Sequence, residues 1–83
     1  MKSNRTLERS VLSKTIKWYR SRGWVVIRLR SVDPAGYPDL LIIRNGIVKF
    51  IELKRADGLG KLSALQETRI AELQLHGIET LLL

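Results

Sequence analysis

Three residues whose side chains could act together chemically lie at the ends of two apolar segments. Asp39 begins the segment from 39 to 44, and Glu52 and Lys54 end the segment from 47 to 54. Carboxylates are ligands that a hard cation such as Mg²⁺ prefers, and a bound cation polarises a phosphoryl oxygen and lowers the pKa of a bound water. Lys54 could orient that water or neutralise charge on the phosphate. These residue types indicate metal-assisted hydrolysis of a phosphodiester.

The turn between the two segments predicts how the two carboxylates meet. Asn45 and Gly46 are typical of a type I′ hairpin turn, which requires positive φ at both positions. A two-residue turn fixes an antiparallel register in which Asp39 faces Glu52. Directly opposed like charges destabilise a sheet, and a bound cation is the simplest reason to keep them there. A bulge in the hairpin would remove this pairing.

The elements that position these residues are predicted from periodicity and turn signals. Apolar residues recur at three and four from about Asn4 to Arg22, which predicts an amphipathic helix that Gly23 ends. A β-branched and aromatic run from 24 to 30 predicts the first strand, and residues 31–38 contain the turn formers of a loop. This strand and the hairpin should form one sheet.

The C-terminal third predicts a second helix and a last strand. Residues 56–61, which contain two glycines, should form a loop, and Ser63 with Gln66 three positions later is typical of a capping box that opens a helix. That helix should run to about His76 and end at Gly77, and residues 78–83 should form a closing strand. The order αβββαβ predicts a single α/β domain over residues 1–83, with a mixed sheet flanked by helices.

Composition narrows the class of partner. The 83 residues include 15 Lys and Arg against 8 Asp and Glu, and the net charge of +7 favours a polyanion such as nucleic acid. The alternative is that the charge only keeps the surface solvated. The absence of cysteine, of an apolar signal segment and of an apolar span predicts a soluble cytoplasmic protein without membrane contact. So short a chain builds a small core, which favours a homodimer.

The motifs Gly36-Tyr37-Pro38-Asp39 and Glu52-Leu53-Lys54 together resemble the PD-(D/E)xK nuclease superfamily, and more narrowly its VRR-NUC group. The resemblance extends over nearly the whole chain and implies a restriction-endonuclease-like core. It also implies a Mg²⁺- or Mn²⁺-dependent DNA endonuclease and a homodimer that cuts branched DNA such as four-way junctions. Its implied catalytic residues are Asp39, Glu52, Lys54 and Gln66, and its implied metal ligands are Glu8, Asp39 and Glu52.

Several of these candidates also have a structural explanation. Glu8 could interact with the positive end of the first helix instead of with a metal, and Gln66 could serve only as a cap. Gly36 could admit a phosphate closely or could simply form a turn. We expect phosphate contacts from one glycine and six basic residues, although the basic residues on the first helix could equally be solvated: Lys14, Lys17, Arg28, Arg30, Gly36, Arg55 and Lys61.

Three other functions remain open from the sequence. The chain could be a DNA-binding module of the same fold that does not cut, or a nuclease subunit that needs a partner. A basic RNA-binding protein of ribosomal type would give no reason for Asp39 and Glu52 to pair, and it would show no affinity for a divalent cation.

Overall fold

The computed structural model describes residues 4–30, 33–53 and 62–83, with side chains from residue 10 onward in the first of these ranges. Its elements follow the predicted order αβββαβ, and each strand is one or more residues shorter than predicted because the strand ends continue into loops. The elements are α1 (Asn4–Ser21), β1 (Val25–Arg28), β2 (Leu40–Arg44), β3 (Ile47–Glu52), α2 (Ala64–Leu75) and β4 (Glu79–Leu82).

The four strands form one mixed sheet in the order β1-β2-β3-β4. The pairs β1 with β2 and β2 with β3 are antiparallel, and β3 with β4 is parallel across α2. The predicted register is confirmed from Arg44 opposite Ile47 to Leu40 opposite Ile51. Asn45 and Gly46 have φ values of 49° and 78°, as a type I′ turn requires. The mixed α/β fold is therefore as predicted.

The core lies between α1 and one face of the sheet. Ile16 supplies the buried residue of α1, and partly buried Leu12 and Tyr19 pack beside it. The strands supply four buried residues, because alternate side chains along a strand point to the same face. These are Val26, Leu40, Ile42 and Ile51.

The opposite face of the sheet is only partly covered. Helix α2 packs against β4 and reaches this face at Glu52, to which its Gln66 is hydrogen bonded. On the side of β1, Val25 and Ile27 remain 57% and 42% exposed. Their strand partners and one residue of β3 are half-buried, and together these five residues form what we call the open face: Val25, Ile27, Leu41, Ile43 and Val48.

Strand β1 is an edge of the sheet, and α1 contacts the outer side of that edge. Along an antiparallel strand, the backbone N–H and C=O groups of successive residues point alternately toward and away from the neighbouring strand. The N–H of Leu29 donates to the Asp39 carbonyl (2.9 Å), so the backbone groups of Leu29 point toward β2, and those of Val26, three positions earlier, point away from it. Nη2 of Arg20 donates to the outward carbonyl of Val26 (3.1 Å). Neither helix within the described ranges is long and apolar enough to cross a membrane.

Candidate active site

Asp39 lies at the start of β2 and is fixed from both sides. It follows Pro38, which is fully buried, and its own carbonyl accepts from the N–H of Leu29, just beyond β1. Across the hairpin, its Oδ2 accepts a hydrogen bond from the backbone N–H of Leu53 at 2.9 Å. Leu40 and Ile51 form the last pair of β2 with β3, and Asp39 immediately precedes Leu40. The Asp39 carboxylate is therefore held beside the end of β3.

Glu52 ends β3 as a carboxyl group that is almost completely buried, with 8% of the residue exposed. Its Oε2 accepts from Nε2 of Gln66 at 3.0 Å, whereas its buried Oε1 has no hydrogen-bond partner among the described residues. The pKa of Glu52 is raised to about 7, chiefly by burial and also by the negative charge of Asp39. Hydrogen bonds from Gln66 and from the Asp39 backbone oppose this rise.

This pair fits a divalent cation. A buried carboxylate oxygen without a partner is costly, and a second carboxylate beside it adds repulsion that a cation would remove. One or two protein carboxylates are what Mg²⁺ usually takes. Within residues 4–30, 33–53 and 62–83 no group of three or more acidic, histidine or cysteine ligands occurs. Glu8 lies in α1, but its side chain is outside the described part, so its place in a metal site stays a prediction.

Gln66 has both of the contacts considered for it from the sequence. Its backbone N–H donates to Oγ of Ser63, and its Oε1 accepts from the N–H of Ser63, which completes the predicted capping box of α2. Its Nε2 points the other way and donates to Glu52. One amide side chain therefore connects the first turn of α2 to the buried carboxyl group.

The loop that leads into Asp39 is tied to α2 by three side chains. The hydroxyl of Tyr37 donates to Glu72 (3.0 Å), and Nε of Arg69 donates to the Ala35 carbonyl (2.9 Å). Arg69 also forms an ion pair with Glu72 at 3.6 Å. We call Tyr37, Arg69 and Glu72 the loop clasp, because together they hold residues 35–37 against the helix that carries Gln66.

Gly36 has a structural role in the loop, where it packs closely against α2 as well as turning the chain. Its φ of 94° favours glycine, and a Cβ added there would lie 2.6 Å from Cγ of Leu65 in α2. The space beside Gly36 is thus filled by the helix, and the glycine lets the loop approach α2 closely. A phosphate contact at Gly36 stays a prediction.

The predicted basic contacts are only partly within the described residues. Lys14 and Lys17 on α1 are exposed, as are Arg28 at the end of β1 and Arg30 just beyond it. Three further predicted residues, the catalytic Lys54 and the phosphate contacts Arg55 and Lys61, lie outside the described residues.

Sequence reasoning missed the loop clasp and the Leu53 N–H that holds Asp39. The spacing of Arg69 and Glu72 by three is a visible helix-surface pair, but nothing in it indicates a contact with a loop more than thirty positions earlier. The Leu53 contact is a backbone group, so residue types cannot reveal it.

Comparison with known proteins establishes the fold of this chain. No protein-family model matches it, and no curated protein matches it significantly. A solved structure described as a VRR_NUC domain aligns with a TM-score of 0.76 at 22% sequence identity, covering 88% of this chain and 78% of the other. The chain therefore shares the fold of a VRR_NUC domain, which confirms the predicted fold class. That neighbour carries the family name to which the two sequence motifs point.

Proposed function

We propose that this chain is a nuclease domain of the VRR-NUC type that hydrolyses phosphodiester bonds in DNA with the help of Mg²⁺ or Mn²⁺. The observation that carries the proposal is the buried Glu52 beside Asp39, with one carboxylate oxygen that lacks a partner among the described residues. The shared fold of a VRR_NUC domain and the net charge of +7 support it.

In this proposal Asp39 and Glu52 hold the metal ion. The Leu53 N–H fixes one oxygen of Asp39, so the carboxylate is oriented before any ligand arrives. Gln66 orients Glu52 in the same way. When bound, the ion would polarise the scissile phosphate and lower the pKa of a water molecule.

Lys54 is proposed to act on the reacting groups directly. It follows Glu52 by two positions, which in an extended chain is roughly 6.5–7 Å on the same face. An ammonium group there would orient the attacking water or neutralise charge that develops on the phosphate. Glu8 is proposed as a further metal ligand, and the contact of Gln66 with Glu52 makes Gln66 a positioning residue for the metal site.

We further propose that the chain forms a homodimer and that it is selective for branched DNA. The open face leaves Val25 and Ile27 exposed, and a second copy of the chain would cover this apolar surface. Two copies related by a twofold axis would present two active sites, which suits symmetric nicking of a four-way junction.

The test is a cleavage assay on labelled linear duplex, flap and four-way-junction DNA with Mg²⁺, Mn²⁺ or EDTA. We expect cutting only with a metal ion, and we expect Asp39→Asn and Lys54→Ala to lower it by about a hundredfold or more. Asp33→Asn is the matched control, because it removes the same charge from an exposed carboxylate outside the site.

The possible outcomes of this assay test separately the selectivity for branched DNA, the assigned site and the nuclease activity itself. Symmetric nicks in the junction alone would support selectivity for branched DNA, whereas equal cutting of all substrates would remove it and keep the nuclease. Cutting that survives Asp39→Asn would overturn the assigned site. Tight DNA binding without cutting under any metal would replace the nuclease with a binding module or with a subunit that needs a partner.

A further inference from the structure

Two segments of the chain, which we call the basic half, contain Lys and Arg but no acidic residue. Residues 9–30 and 40–51 contain nine Lys and Arg and no Asp or Glu. They form most of α1, all of β1 and most of the hairpin, whereas the described acids lie in the second turn of α1 (Glu8), before β2, at the end of β3, in α2 and in β4. The charge of this protein is therefore segregated by element, and the surface of the basic half fits a polyanion.

Within this half, the end of α1 holds an arginine in a fixed orientation. The guanidinium of Arg22 lies 3.6 Å from the ring centroid of Trp18, a cation–π contact with a ring whose residue is 50% exposed. Nη1 of Arg22 donates to the Trp18 carbonyl (3.3 Å) and to Oγ of Ser21 (3.1 Å). Oγ of Ser21 in turn donates to the Trp18 carbonyl (2.6 Å), so the three groups fix one another.

This orientation leaves the outer edge of the guanidinium available. Nη1 is used, but Nε and Nη2 of Arg22 have no hydrogen-bond partner within the part of the chain that the structure describes. The parallel N–H groups of such an edge match two oxygens of one phosphate. Because the ring and the hydrogen bonds already order the side chain, binding a phosphate there costs less conformational entropy than it would for a mobile arginine.

The position of Arg22 sets it apart from the carboxylates. Gly23 follows it, and a Cβ on Gly23 would lie 3.7 Å from Nε of Arg44 at the hairpin end of the sheet. β1 begins beside this point with Val25, which pairs with Ile43, four positions along from Asp39. The strand between Ile43 and Asp39 spans about 13 Å, so Arg22 lies beside the end of β2 that is far from Asp39.

We infer that Arg22, held on Trp18, is a phosphate-binding site for the DNA backbone, away from the bond that is cut. This inference rests on the proposed function for the identity of the polyanion. It adds a contact at the turn from α1 into β1, beyond the predicted contacts Lys14 and Lys17 on that helix. A rival explanation is that Arg22 serves only to cap the carbonyls at the end of α1.

The test measures binding of a labelled DNA duplex by fluorescence anisotropy in EDTA, so that affinity is read without cutting. We expect Arg22→Gln to weaken binding roughly tenfold at about 0.1 M salt and to lower the slope of log affinity against log salt by about one. Trp18→Leu keeps the charge but frees the guanidinium, so we expect a smaller loss of affinity and an unchanged slope. Lys49→Gln is the charge-matched control, because Lys49 is paired with Glu79 at 3.2 Å.

A series of duplexes shortened from either end adds a geometric readout. The effect of Arg22→Gln should vanish once one flank is too short to reach Arg22, and shortening the other flank should leave it unchanged. If Arg22→Gln binds every duplex as tightly as the native chain and only its melting temperature is lower, Arg22 serves only as a helix cap. That result would overturn the inference. Loss of cutting in the metal assay with this Arg22 effect intact would overturn the proposed function only, and absence of any DNA binding would overturn both.

Discussion

Glu52 is a carboxyl group held where its negative charge is costly. Its pKa is raised to about 7 by burial and by Asp39, so between its ordinary value near 4.5 and about 7 the folded chain binds a proton that the unfolded chain releases. This contribution to stability is fully present below about pH 4.5 and is lost as the pH rises through about 7. Without divalent cations, we expect the melting temperature to fall between about pH 5 and about pH 8.

The matched variants for this prediction are Glu52→Gln and Glu67→Gln. The first removes the buried charge and should flatten the pH dependence, whereas the second makes the same change at an exposed position of α2 and should keep it. Adding Mg²⁺ at about pH 8 should restore the melting temperature of the native chain, because the metal ion takes the place of the proton. A native melting curve that is flat over this range would contradict the assigned burial of Glu52.

Gln66 joins two functions that substitutions can separate. Gln66→Ala removes half of the capping box and the contact to Glu52, whereas Ser63→Ala removes the capping side chain and leaves that contact. Each should lower the free energy of unfolding by about 1 kcal/mol in urea titrations. Only Gln66→Ala should slow cleavage and steepen the fall of stability with pH, because the amide lowers the pKa of Glu52. Equal cleavage by the two variants would leave Gln66 as a cap alone.

At the scale of elements, two glycines with positive φ differ in what surrounds them. Gly46 in the hairpin turn has open space where a Cβ would project, whereas Gly36 lies against Leu65 of α2. Gly46→Ala should therefore cost only the backbone strain, about 1 kcal/mol. Gly36→Ala adds a steric clash and should cost more, roughly 2–4 kcal/mol in urea titrations. It should also slow cleavage, because the loop before Asp39 would move away from α2; equal costs for the two would contradict this packing.

The sequence predicts the elements well where the signals are local. The Asn45-Gly46 turn predicts the register of β2 with β3, and Ser63 with Gln66 predicts the start of α2. The approach of Asp39 to Glu52 follows from that register. The loop clasp could not be predicted, since it joins residues that only the packing of α2 brings together. The metal ligand Glu8 and the catalytic Lys54 stay predictions, because their side chains lie outside the described residues.

At the scale of the whole molecule, the open face predicts self-association. Val25 and Ile27 lie 57% and 42% exposed on a face of the sheet that the described residues cover only in part. We expect a dimer at micromolar concentration in analytical ultracentrifugation, and a monomer of unchanged secondary structure for the double substitution of Val25 and Ile27 by serine. Leu75→Ser is the control, because that side chain is 82% exposed on α2, outside the open face. A native monomer at this concentration would remove the dimer from the proposal.

The contact of Arg20 with the outer edge of β1 has a consequence for how the protein behaves at high concentration. An exposed strand edge beside an apolar surface is a template on which further chains can add strands and grow into fibrils. Arg20 already occupies the outward carbonyl of Val26, and its positive charge lies where an incoming strand would have to run. We therefore expect the same arginine that fastens α1 to the sheet also to hinder strand addition at this edge.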